Sequence, residues 1–149
     1  MSKDSEFAQK AADVVGLYLS PRANTVVFSV DEKPSIQALE HTCGFANSGE
    51  SVVRGQGSTY KRARVANLFA ALNVITGHVQ GETTQTKTRV DFLAFMDKVV
   101  VSQPADSLIH VVMDNLSTHK HCDDWLAAHP NVKFHFTPIS ASWLSQVEI

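Results

Sequence analysis

The chain has 149 residues, 44% hydrophobic and 19% charged, with a formal net charge of −2. These values describe one globular domain and exclude a disordered chain, and no apolar run reaches the roughly 20 residues that a bilayer-spanning helix needs. The charge does not advertise nucleic-acid binding, Cys43 and Cys122 are too few for a disulfide framework or a zinc ribbon, and the polar start lacks the order of a signal peptide, so a cytoplasmic chain is expected.

Ser5–Leu19 reads as a helix, with Phe7, Ala11, Val15 and Tyr18 on one face and Pro21 closing it. Thr25–Asp31 (TVVFSVD) is apolar on both faces, the pattern of a buried central strand, and Pro34–Glu40 suits a second strand. From His41 to Arg64 the chain carries four of its seven glycines and little periodicity, so a long loop is expected. Val65–Ile75 then leads through Thr76-Gly77 into His78–Thr83 as a hairpin.

Thr88–Gln103 returns to helical spacing, with Val90, Phe92, Leu93, Phe95, Met96, Val99 and Val100 as its apolar face, Thr88 as N-cap and Pro104 beyond its end. Leu108–Asp114 repeats the buried-strand pattern. A helix capped by Ser117 or Thr118 runs to Ala128, Val132–Thr137 alternates like a half-buried strand, and Ser142 opens a last helix. This order predicts one α/β domain, its sheet paired antiparallel at first and then extended by right-handed crossovers.

Two of these apolar strands end in aspartate, Asp31 and Asp114. Ligands of open α/β sheets gather where the carboxyl ends of the strands emerge. Two carboxylates held there repel unless one is protonated or a cation bridges them, and hard oxygen donors suit Mg²⁺ or Mn²⁺. Asp also begins turns, so a single such strand end reads first as a turn residue, and only the two matched ends bring the readings level. Glu148 follows Asp114 by 148 − 114 = 34 positions, and spacing alone does not single it out. The residues His119, His121 and Cys122 lie too close in sequence to face one metal, and a zinc reading is set aside.

Five segments then carry a resemblance: Asp31-Glu-Lys-Pro-Ser-Ile-Gln-Ala-Leu-Glu40, Tyr60-Lys-Arg, Leu68-Phe-Ala-Ala-Leu72, Asp114-Asn-Leu-Ser-Thr-His-Lys120, and Phe136 through Ser-Trp-Leu-Ser-Gln-Val-Glu148. In order and separation they resemble the DDE-superfamily transposases of the mariner-like bacterial insertion-sequence branch. The resemblance implies a ribonuclease-H-like mixed sheet flanked by helices, within a single catalytic domain over 1–149 whose residues 1–22 form a helix and linker leading into it.

It further implies metal-dependent DNA cleavage and strand transfer at element ends, with Asp31, Asp114 and Glu148 as catalytic, metal-holding carboxylates. Two Mg²⁺ or Mn²⁺ ions would serve an in-line phosphodiester displacement. The partners implied are the element's terminal repeats and target DNA, with homodimers of the full-length protein, no membrane, and nucleoid association when bound to DNA.

Around that site, Asn115, His119 and Lys120 are candidates for orienting a ligand or contacting DNA, and Lys61 and Arg62 belong to the densest basic stretch, Arg54–Arg64. Packing in the core is the expected role of Trp143. The family's helix-turn-helix modules are not found ahead of Met1, and its final helix normally continues past the glutamate. The expectation is therefore a catalytic domain truncated at both ends, its final helix cut short, and weak on its own. The alternative is a non-catalytic fragment that binds DNA or the full-length transposase.

Overall fold

The structure, a computed structural model, describes residues 6–48, 51–115, 119, 121–138, 141 and 144–147, with backbone alone for 38–48 and 51–64. Its elements are α1 (Phe7–Leu19), β1 (Thr25–Ser48), β2 (Ser51–Asn73), β3 (Val79–Thr84), α2 (Arg89–Val101), β4 (Leu108–Met113), α3 (Asp123–Ala128) and β5 (Val132–Phe136). The five strands form one sheet in the order β3-β2-β1-β4-β5. β1 and β2 pair antiparallel, as do β2 and β3, whereas β1–β4 and β4–β5 are parallel. This is the mixed, helix-flanked α/β sheet of the ribonuclease-H-like kind that the sequence led us to expect.

Strand alternation divides the core into two layers. Phe28, Val30, Phe69, Ile109, Val111 and Met113 meet Phe92, Phe95, Met96 and Val99 of α2. On the other face Val27 and Val112 meet Val14 of α1, together with Ala141 and Leu144. Helix α2 is fixed at its start by a capping box, in which Thr88 accepts from the Asp91 backbone and Asp91 accepts from the Thr88 backbone. The hairpin between β2 and β3 forms as expected: Gly77 takes φ 74°, a left-handed value that glycine adopts without a Cβ clash, and Asn73 Oδ1 accepts from the Ile75 and Thr76 amides.

Several expectations need correction. The strand ending at Asp31 and the one beginning at Pro34 are a single strand, interrupted by a register shift between Lys33 and Ile36. Pro34 has no amide hydrogen to give the ladder, and Ser35 turns left-handed (φ 58°) with its amide held by Asn67 Oδ1 at 3.1 Å, a bulge rather than a break. The stretch expected as a loop from His41 to Arg64 is, over its described residues 41–48 and 51–64, a continuation of β1 and β2 as an antiparallel arm.

Val14, not Val15, faces the core from α1, and Val90 of α2 is 76% exposed. Helix α3 starts only at Asp123, after His121 in a left-handed conformation (φ 57°). The helix expected from Ser142 is replaced, over the described residues, by i→i+3 turns in which Ala141 N donates to Pro138 O and Leu144 N to Ala141 O. Among the described residues no helix is long and apolar enough to cross a membrane.

Candidate active site

The parallel register of β1 and β4 ends with Val30 opposite Met113, so Asp31 and Asp114 are the next residue of each strand. Val30 and Met113 both point to the α2 side; alternation turns Asp31, still within β1, to the α1 side, whereas Asp114 stands just past the end of β4 with its Oδ1 3.1 Å from the His119 ring that packs on Phe92. The Asp31 carboxyl is held above the usual carboxylate range, first by burial and then by the negative charge of Asp114. The Glu32 amide, donating to Asp31 Oδ1 at 2.8 Å, works in the opposite direction.

Behind this pair stands His119, 1% exposed, its ring 4.5 Å from that of Phe92. Its Nδ1 makes a hydrogen bond with the Asp114 carbonyl at 3.3 Å and lies 3.1 Å from Asp114 Oδ1. The second approach is close but not aligned as a hydrogen bond, for Asp114 Oδ1 has no hydrogen-bond partner among the described residues. Glu32, 9% exposed on the face opposite Asp31, also has its carboxyl raised, by burial foremost and against the pull of His119 and Lys87. Its Oε2 and His119 Nε2 are likewise buried without partners among the described residues. Two carboxylate oxygens and one ring nitrogen left this way cost stability until a further group completes them.

A second anchor lies one pleat before Asp31. Ser29 is fully buried, and its Oγ accepts from the amides of Gln146 at 3.0 Å and Val147 at 3.1 Å. A hydroxyl has two lone pairs and one hydrogen. With both lone pairs used, Ser29 donates to Ser145 Oγ at 3.1 Å, and Ser145 donates onward to Val147 O at 3.4 Å. Tyr18 of α1 donates to Leu144 O at 2.8 Å, and burial pushes its phenol pKa up. The segment leading to Glu148 is thus tied to β1 beside Asp31.

The structure therefore brings together Asp31 and Asp114, with His119 against Asp114. Its burial suits orienting a ligand and does not suit a direct contact with DNA. Asn115 follows Asp114 and is exposed. Glu148, Lys120 and Trp143 lie outside the described residues, as do the side chains of Lys61 and Arg62. The backbone pairs Leu39 with Arg62 and Glu40 with Lys61, whereas Asp31 pairs with Ala70. Eight residues of strand, roughly 26 Å, separate Arg62 from that position, so this basic stretch is not at the carboxylates.

Two residues escaped the sequence reading. Glu32 was signalled by alternation, which sends a charge adjacent to Asp31 to the covered face. Ser29 was signalled as the one polar residue inside an apolar strand.

The family model described as "DDE superfamily endonuclease" matches residues 26–149. The chain belongs to that family. Among curated proteins none matches this DDE chain by sequence. Its fold is similar to a chain of the simian T-cell lymphotropic virus intasome in complex with PP2A regulatory subunit B56 gamma, with TM-score 0.52 and 10% identity over 82% of this chain and 34% of that one. It is similar also to a chain of the Mos1 Strand Transfer Complex, with TM-score 0.54 and 10% identity over 94% of this chain and 44% of that one. The DDE chain thus spans less than half the length of either.

Proposed function

We propose that this chain is the catalytic domain of a transposase of the mariner-like insertion-sequence kind, cutting DNA at element ends and joining them to target DNA. Asp31, Asp114 and Glu148 are its metal-holding carboxylates, and residues 1–149 act as one domain into which residues 1–22 lead. The observation that supports this reading is the parallel register of β1 and β4, whose last pair, Val30 and Met113, is followed directly by Asp31 and Asp114, near enough for the Asp114 charge to act on Asp31. Membership of a DDE endonuclease family and similarity of fold to chains of an intasome and a strand transfer complex support it.

The residues present fit divalent cations. Asp114 Oδ1 is buried without a hydrogen-bond partner among the described residues, and Asp31 is reluctant to ionise beside it. Both are hard oxygen donors of the kind that Mg²⁺ and Mn²⁺ take. Two such ions, when bound, supply the Lewis acidity for in-line displacement at a phosphodiester.

The chain's own contribution is positional. Asp31 and Asp114 are fixed by the last rungs of a buried ladder, His119 braces Asp114 from the core side, and Ser29 holds the segment next to Glu148. No side chain needs to attack phosphorus: water, and later a 3′-hydroxyl, is the nucleophile. The partners are element-end DNA and target DNA, with a homodimer in the full-length protein, and the place of action is the cytoplasm and its nucleoid.

Calorimetric titration with Mn²⁺ of the wild-type chain and of an Asp31→Ala, Asp114→Ala double variant tests the reading, alongside cleavage assays that include Glu148→Ala. Binding lost in the double variant and cleavage lost in Glu148→Ala are expected. Equal Mn²⁺ binding by both proteins would sink it.

A further inference from the structure

The face of the sheet that carries Asp31 holds a second polar cluster at its other end. Thr25 and Leu108 begin β1 and β4, and Asp31 lies six residues, or about 20 Å, further along. Here α1 leaves a cavity of about 490 Å³ against the sheet. His110 of β4, Lys133 and His135 of β5, and Arg22 of the connection after α1 line it, with Asp13 of α1 as its one carboxylate.

His110 Nδ1 and His135 Nε2 are 2.8 Å apart, their rings 5.0 Å between centroids. One of these nitrogens must carry the hydrogen and the other the lone pair. The pair can take up one further proton at an outer nitrogen and keep its bond; a second would not leave a lone pair to accept. Fully charged, the lining therefore holds three positive charges against one negative.

We propose that this cavity is a binding site for a phosphate-class oxyanion, held by Lys133 and Arg22 and completed by an N–H of the His110–His135 pair. Lys133 and Arg22 supply charge-assisted hydrogen bonds, and the imidazoles supply neutral or charged donors as the proton count allows. Burial is the main cause holding both histidines below their ordinary pKa, and Lys133 adds to it at each, Arg22 at His110 alone. Asp13 acts on His135 in the opposite sense. An anion seated among them offsets the Lys133 and Arg22 charges, so its binding draws a proton onto the pair. The oxyanion comes either free in solution or as a phosphate of a DNA backbone, and the chemistry of the cavity is the same for both.

The test is a long-range ¹H–¹⁵N spectrum of the imidazoles, recorded while inorganic phosphate replaces chloride at constant ionic strength and pH. Saturable shifts at His110 and His135, with His78, His121 and His129 unmoved, are expected. In Lys133→Gln and Arg22→Gln the apparent affinity should fall roughly tenfold or more, about the worth of one charge-assisted hydrogen bond. Both side chains are exposed at the rim, and amide spectra of the variants verify that they fold.

A second arm replaces phosphate with a short blunt DNA duplex. Shifts at the same two histidines assign the site to backbone phosphate, and shifts with inorganic phosphate alone assign it to the free anion. Shifts that grow without saturation, or that are unchanged in both variants, overturn the proposal.

Discussion

Ser29 Oγ on β1 lies 3.1 Å from the backbone nitrogen of Val147, although 118 positions separate the two in the chain. An acceptor from one element that takes two consecutive amides of another does the work of a helix N-cap, supplied across the fold. It couples the strand that presents Asp31 to the segment that precedes Glu148, so Ser29 is a hinge point between two parts of the proposed site.

Replacing Ser29 with Ala strands the buried amide of Val147 and removes the partner of the part-buried amide of Gln146. Each unsatisfied group costs about 1–3 kcal/mol, and urea unfolding should show a loss of at least that size. If the segment also carries a metal ligand, Mn²⁺ affinity measured under conditions where the variant is fully folded should drop as well. A variant that loses stability while binding Mn²⁺ like the wild type would confine Ser29 to a structural role.

His119 offers a comparable separation of roles. It is buried against Phe92 and approaches Asp114 through Nδ1. His119→Ala should cost about 2–4 kcal/mol, in the range for truncating a large buried side chain, and should weaken Mn²⁺ binding by freeing Asp114. Phe92→Leu disturbs the same packing without touching Asp114. It should lower stability and leave Mn²⁺ affinity unchanged in the folded fraction. Equal effects of the two variants on Mn²⁺ would remove the bracing role from His119.

Much of this arrangement could be read from residue order. Two apolar runs ending in Asp31 and Asp114 are strands because every residue of a central strand is covered, and parallel neighbours bring their ends level. The β1–β2 arm from His41 to Arg64 was not readable, because its residues show little alternation and carry four of the seven glycines. Its glycines then read as loop. Val14 and Val15 could not be told apart, since each stands three or four residues from both Ala11 and Tyr18; in the helix it is Val14 that lies at the centre of the stripe. The His110–His135 contact joins two strands of unknown register, and only the observed pairing of Val112 with His135 makes it apparent.

The raised carboxyls of Asp31 and Glu32 give the metal-free chain a distinctive pH response. For both groups the folded pKa lies above the unfolded one. Between those values the native state binds more protons than the unfolded state, so stability is full below the ordinary carboxylate range and falls as pH rises through the raised values. Unfolding in chelator across that window should show this decline, and Asp31→Asn or Glu32→Gln should flatten it. Added Mn²⁺ should counter it, because a bound cation favours the ionised carboxylates. A metal-free chain that becomes steadily more stable through the window would contradict the burial of these groups.

The histidine pair predicts the opposite slope in a neighbouring window. Burial, joined by the positive charges around the cavity, holds both His110 and His135 below their ordinary pKa. The unfolded chain therefore binds protons first as pH falls past about 6.5. The stability that the neutral pair contributes is full above that point and is lost as pH drops through the lowered folded values. His135→Gln should reduce this loss relative to the wild type, since the amide has no proton to gain. Saturating inorganic phosphate should reduce it in the wild type alone, by favouring the protonated pair in the folded state. Urea midpoints of the two proteins, measured from pH 7.5 to about 5 with and without phosphate, decide the matter. Parallel curves for both proteins in both buffers would mean that the pair neither resists protonation nor senses the anion.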